Sequence, residues 1–192
     1  WKKKKKAHHE DEIKLRSKRS LCSKIEGVAE KFKEYDEIFF PKNLDFRGRI
    51  YDAPLHLNPQ GNSLAKGLLL FANGEPIGDD IAVTELAIHG ANCFGMDKLG
   101  FTGRYEWVLD NHDLIIKTAE DPIGNLWWAK EADCPWTFLA FCKEWYGVTH
   151  DNYEHITYLP IQKDATCSGL QHFSGALKDE IGGNEVNLLV SD

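Results

Sequence analysis

Residues 161–183 read IQKDATCSGLQHFSGALKDEIGG. A short apolar approach ending in Leu159-Pro160-Ile161 reaches Asp164, and a turn of small residues then opens into a helical pattern. Two uses of that carboxylate are open. Asp164 can cap the helix, accepting a free backbone N–H of its first turn. It can equally be a metal ligand at a strand end, because magnesium takes one or two carboxylates beside substrate phosphates and waters. A two-metal phosphoryl-transfer site then requires at least one more carboxylate. Cys167 adds a hydrolase alternative, since a thiol at a helix start becomes more acidic and more reactive. His172 is five residues on, too far around a helix to face it, so a different base would be needed. Otherwise Cys167 is a small buried hydrophobe.

Upstream, DFRGR at 45–49 is the second candidate. On a strand, Arg47 and Arg49 would share one side, and Tyr51 continues that face. Gly48 leaves the backbone open to close approach, and guanidinium groups suit bidentate contact with phosphates. The alternative is a solvated strand edge on which Asp45 pairs one arginine.

The rest of the chain supplies a frame. Residues 1–19 are charged and without clear period, and read as either the tail of a helix or a loose arm. Leu21, Ile25, Val28 and Phe32 predict an amphipathic helix from Ser20 to about Tyr35. Two strands are expected around a loop at Pro41-Lys42-Asn43, and NPQGNS at 58–63 is a turn-rich loop. Asp79 or Asp80 caps a helix through Cys93, and Thr102 caps the next, turning Tyr105, Val108 and Leu109 inward. LIIKTAE continues as helix until Pro122 and Gly124. WWAKEADCPWTFLAFCKEWYG reads as one aromatic helix with Pro135 in its first turn and Gly147 past its end. Trp127 and Trp128 either stack on bases or close a core against Phe138 and Phe141; His89 reads as a core histidine. ITYLPIQ is a short strand, and the last helix stops at Gly182-Gly183. The order is mixed α+β.

At 192 residues the chain can bury a real core, and 42% apolar with 28% charged residues is ordinary for a globular protein. Five cysteines without a C-x-x-C pair fit neither a disulfide framework nor a zinc ribbon, so a reducing, intracellular setting is expected. The net charge of −7 is uneven: residues 1–34 carry +6 and the remainder −13. That excludes nucleic-acid binding over a whole basic face and leaves local contacts. The lysine run at 2–6 reads as a solvated end. No membrane span and no G-x-x-x-x-G-K-[ST] phosphate loop is present.

Several blocks together resemble a known family. DATCSGLQHFS, followed by LKDEIGGNEVNLL, is similar to the first catalytic motif of single-subunit, bacteriophage-type DNA-directed RNA polymerases. FFPKNLDFRGRIY resembles that family's F-P-x-N-x-D-x-R-G-R-x-Y segment. NPQGNSLAKGLLLFANGEPIG, IHGANCFG, DPIGNLWWA and FLAFCKEWYG follow in the family's order, nearer the phage branch than the organellar one.

The resemblance implies an α+β fragment of a polymerase palm, with antiparallel strands, flanking helices, a helical insertion and a thumb-like first helix. Its expected parts are 1–35 (end of the thumb), 36–78 (palm strands with DFRGR), 79–150 (helical insertion) and 151–192 (palm strand and helix). Asp164 matches the aspartate that binds both catalytic Mg2+ ions, and Ala165 a position, commonly glycine, whose backbone carbonyl helps hold a metal. Thr166 stands where serine is usual, and no role is assigned to Lys163. Asp45, Arg47, Gly48, Arg49 and Tyr51 match the segment along the template–product hybrid. Ser168, Gly169, His172 and Ser174 would support from the palm helix. The second metal-binding aspartate and the nucleotide-gripping lysine and tyrosine have no counterpart here, so the chain alone is expected to be inactive. Implied partners are DNA template, nascent RNA, nucleoside triphosphates and the remainder of a polymerase chain, in the cytoplasm of an infected bacterium. A non-catalytic nucleic-acid-binding module is the competing reading.

Overall fold

The computed structural model describes the backbone of residues 2–163 and 167–189, with side chains from residue 8 onward. Asp164, Ala165 and Thr166 lie outside the described residues. The chain divides into two compact units, residues 1–160 and 161–192.

The first unit begins with one helix, α1 (Lys2–Phe32). Of the two readings open for residues 1–19, helix tail and loose arm, the helix is the one observed from Lys2 onward. Lys, Glu, Ala, Leu and Arg are strong helix formers, and residues 2–19 contain no glycine or proline to stop them. No apolar stripe is required there, because residues 8–21 are exposed. Among the residues with described side chains, those of the last turns are the anchored ones. Cys22, Ile25, Val28 and Ala29 pack with Leu57, Leu64, Ala65 and Leu69 into a small core.

β1 (Lys42–Leu44) and β2 (Ile50–Asp52) form an antiparallel ribbon, pairing Lys42 with Asp52, Asn43 with Tyr51 and Leu44 with Ile50. The short helix α2 (Ser63–Gly67) is capped by the Asn62 side chain. β3 (Glu75–Pro76) leads to α3 (Asp80–Phe94), where Asp79 takes the cap and accepts the Ala82 N–H at 2.8 Å. Next come α4 (Phe101–Asp110) and α5 (His112–Glu120). Thr102 is not the cap of α4; Gly100 holds that place, and Thr102 lies inside the helix. Val108 is fully buried, but Leu109 is 47% exposed and points outward, because a helix only ten residues long presents one face to the core.

The aromatic segment is two helices, α6 (Trp127–Glu131) and α7 (Pro135–Asp151). Pro135 opens α7 as expected, but Gly147 lies inside it. Its missing side chain is used for close approach: a β-carbon there would sit 2.6 Å from His155 Nδ1. A 3₁₀ turn (Asn152–Glu154) and β4 (Ile156–Thr157) then bring the chain back to pair with β3.

α7 is the centre of the main core. Phe138, Phe141, Cys142, Trp145 and Val148 pack with Leu86, Ala87, Ala91 and Phe94 of α3, Val108 of α4, Ile115 of α5 and Trp128 of α6. Fully burying each large apolar side chain contributes about 1.5–3 kcal/mol. Trp127 and Trp128 take the core reading rather than the stacking one. Trp127 lies 5.5 Å from Phe138 between ring centroids, and Trp128 is buried. His89 is also a core residue, beside Cys93 Sγ at 3.6 Å, and burial lowers its pKa to about 4.

The second unit holds α8 (Ser168–Leu177) and α9 (Glu180–Glu185). The expected break at Gly182-Gly183 is displaced: both glycines are within α9, and the turn comes at Lys178, in the left-handed region. Among the described residues the protein is α+β, with helices predominating over two small antiparallel ribbons. No described helix is long and apolar enough to cross a membrane.

Candidate nucleic-acid interface

The turn between β1 and β2 is built by Asp45. Its backbone N–H donates to the Arg49 carbonyl at 2.9 Å, and its own carbonyl accepts the Gly48 N–H at 3.1 Å. Gly48 sits at φ +76°, so the loop is a tight turn followed by a left-handed residue, a place where glycine is favoured. The Asp45 carboxylate then stitches the loop from within. Oδ1 accepts the N–H of Arg47 at 2.8 Å and of Arg49 at 2.9 Å.

This geometry corrects two expectations. Arg47 is in the turn and not on a strand, so alternation does not place it beside Arg49. Asp45 also pairs with neither guanidinium; its oxygen is used by backbone. Arg47 lies over the ring of Phe46, 5.3 Å from its centroid, and that ring is 92% exposed. Among the described residues neither arginine has a carboxylate partner, whereas Lys42 is paired with Asp52 across the ribbon. Tyr51, on β2 opposite Asn43, is exposed. Among the described residues the ribbon therefore ends in two guanidiniums without a carboxylate partner and an aromatic ring. Such forks can bind phosphate oxygens in pairs.

The outer edge of β2 is held by Gln60, a residue of the turn-rich loop 58–63. Gln60 accepts the Asp52 N–H on Oε1 and donates from Nε2 to the Ile50 carbonyl. A polar-rich loop following an amphipathic ribbon was the available signal, but nothing in its spacing identified the partner.

In the second unit, Cys167 holds the N-cap place of α8, at φ 51° and without a side-chain cap bond. Its carbonyl accepts the N–H groups of Leu170 and Gln171. Ser168, Gly169 and His172 are exposed on α8, and Ser174 is buried. Gln171 ties the helix to the carbonyl of Val186 at 2.7 Å. Cys167 is exposed, contrary to a buried hydrophobe, and no histidine is bonded to it among the described residues. The metal and cap readings of Asp164, Ala165 and Thr166 fall outside the described residues. Elsewhere among those described, no group of three His, Cys, Asp or Glu side chains is placed to hold a metal.

Residues 76–192 match the family model for DNA-dependent RNA polymerase. The DNA-directed RNA polymerase of Enterobacteria phage T3 is 50% identical over 164 residues, covering 85% of this chain and 18% of that protein. T7 RNA polymerase of Escherichia phage T7 is 44% identical over all 192 residues, 21% of its length. A mitochondrial DNA-directed RNA polymerase of Schizosaccharomyces pombe is 40% identical over 160 residues, covering 82% of this chain and 14% of that protein. The chain thus spans about a fifth of the length of its phage relatives. These matches remove the cysteine-hydrolase reading of Cys167. The chain belongs to the DNA-dependent RNA polymerase family.

Proposed function

We propose that this chain is the part of a bacteriophage-type RNA polymerase that brings Asp164 to the catalytic centre and lays the 45–51 ribbon along the template–product hybrid. In the complete enzyme the RNA 3′-hydroxyl attacks the α-phosphate of a nucleoside triphosphate, a new phosphodiester bond forms, and pyrophosphate leaves. Catalysis of this kind rests on positioning and charge neutralisation. The observation that carries the reading is the Asp45-stitched turn, in which the carboxylate is taken by backbone N–H groups and, among the described residues, by neither the Arg47 nor the Arg49 guanidinium. Phage relatives support an enzyme working in the cytoplasm of an infected bacterium on DNA template, nascent RNA and nucleoside triphosphates.

The Asp164 carboxylate and the Ala165 carbonyl are hard oxygen donors of the kind Mg2+ takes. Bound there, the ion would supply charge neutralisation at the reacting phosphate. One carboxylate does not hold a two-metal pair, so these 192 residues alone are inactive in this reading. Thr166, Ser168, Gly169, His172 and Ser174 then serve as support around Asp164. In this reading residues 1–35 close the thumb, 36–78 and 151–192 are palm, and 79–150 are its helical insertion.

A templated-transcription assay on the chain alone tests the catalytic half, with no RNA product expected; synthesis would overturn it. The binding half is tested by titrating a labelled RNA–DNA hybrid at several salt concentrations. Affinity should fall with salt and weaken on Arg49→Ala. Unchanged binding by that variant would remove the ribbon from the interface.

A further inference from the structure

One edge of β2 is occupied by a side chain in place of a strand. Gln60 Oε1 accepts the Asp52 N–H at 2.8 Å, and its Nε2 donates to the Ile50 carbonyl at 3.0 Å. The carbonyl of one residue and the N–H two residues later face the same side of a strand. A primary amide satisfies both, as a neighbouring peptide group would. Backbone reinforces the contact: the Gln60 N–H reaches Asp52 Oδ2 at 3.2 Å and Asn58 Oδ1 at 2.9 Å. Asn58 is buried and donates to the Pro54 carbonyl at 2.7 Å. The Asp52 side chain is 1% exposed, and its other oxygen takes Lys42 from across the ribbon.

An isolated ribbon of three residue pairs is marginal in water. Leu44, Phe46 and Ile50 on it are exposed, so the direction of its tip depends on what grips its base. We infer that Gln60 is a positioning residue, whose side-chain amide stands in for a third strand on β2 and holds the tip bearing Arg47 and Arg49 in one orientation. The inference rests on the ribbon contacting the hybrid. An apolar residue at 60 would leave Asp52 N–H and Ile50 C=O without this partner. An ionised glutamate could accept but not donate, and would set a charge beside the Asp52 carboxylate.

The test is hybrid affinity of the 192-residue chain, by fluorescence anisotropy with a labelled RNA–DNA hybrid, together with amide hydrogen exchange in its absence. Gln60→Ala should weaken binding about tenfold and speed exchange at the Asp52 amide by a similar factor, with far-UV circular dichroism unchanged. Adding Arg49→Ala should then cost less than it does in the parent chain, because orientation is already lost. Gln60→Glu should bind weakly at pH 7 and regain affinity relative to the parent chain toward pH 4, as the neutral acid can again donate to Ile50. If Gln60→Ala binds normally while Arg49→Ala does not, the positioning role fails and the ribbon reading stands. Fully additive losses would also overturn it. If Arg49→Ala binds normally, the ribbon reading falls and the positioning role falls with it.

Discussion

Ser63 caps α7 from 73 residues before Trp136: its Oγ accepts the Trp136 N–H at 3.1 Å and the Thr137 N–H at 3.3 Å. The helix's own N-cap residue, Cys134, makes no side-chain cap bond. A residue of the small α2 layer therefore satisfies the first turn of the helix at the centre of the main core. Ser63→Ala should lower stability by about 1 kcal/mol. A urea midpoint equal to that of the parent chain would show the cap to be dispensable.

Gly147 and His155 form a second such dependence. The imidazole fills the space of the missing side chain, and its Nε2 lies 2.9 Å from Glu144 Oε2 on the same helix. Gly147→Ala should destabilise by roughly 1–3 kcal/mol through overpacking. The penalty should shrink in a His155→Ser background, measured as a double-mutant cycle in urea. Equal penalties in both backgrounds would place the strain elsewhere.

His89 makes stability depend on pH. Burial lowers its pKa from 6.5 to about 4, so between those values the unfolded chain binds more protons than the folded one. Its contribution is present above the unfolded value and is lost as pH falls toward the folded one, about 3 kcal/mol at most. Urea midpoints measured from pH 7 to pH 4.5 should decline, and His89→Gln should flatten the decline.

The cysteines should divide by environment. Burial pushes the Cys93 thiol up to about 11 and raises that of Cys142 further, while Cys134 and Cys167 are exposed. Maleimide labelling followed by mass spectrometry should modify Cys134 and Cys167 in the folded chain. Cys93 and Cys142 should label only in denaturant; early labelling of either would contradict the packing around α7.

Asp45 offers a test of the turn separate from the arginines. Asp45→Asn keeps an oxygen that can accept both backbone N–H groups, so hybrid affinity should stay within about twofold of the parent. Asp45→Ala loses both bonds and should weaken binding several-fold. The two variants binding alike would mean that the carboxylate's bonds do not set the tip.

The family was legible in residues whose order along the chain carries the signal: Asp45 with Gly48 and Arg49, then Gly90, Gly147 and Asp164 within their blocks. The central helix of the main core was legible too, because Phe138, Phe141, Trp145 and Val148 recur along it at helical spacing. Periodicity failed where no apolar face is needed, as in the first half of α1, and where a glycine has a partner remote in sequence. Gly147 reads as a helix end until His155 is placed against it. Gln60 could not be found from spacing, because the peptide groups it binds belong to a strand that exists only after the ribbon has paired.

The sequence by itself determined membership of a polymerase family and the α+β class, and it nominated the candidate site residues. These depend on residue type and order, which the chain carries before folding. Tertiary structure alone decided that Asp45 serves backbone rather than arginine, that Ser63 caps α7, and that Gln60 completes the edge of β2. Each of those is a choice among partners of equal chemistry, and hydrogen bonding acts over about 3 Å of space. Distance along the chain does not specify which partner comes that near.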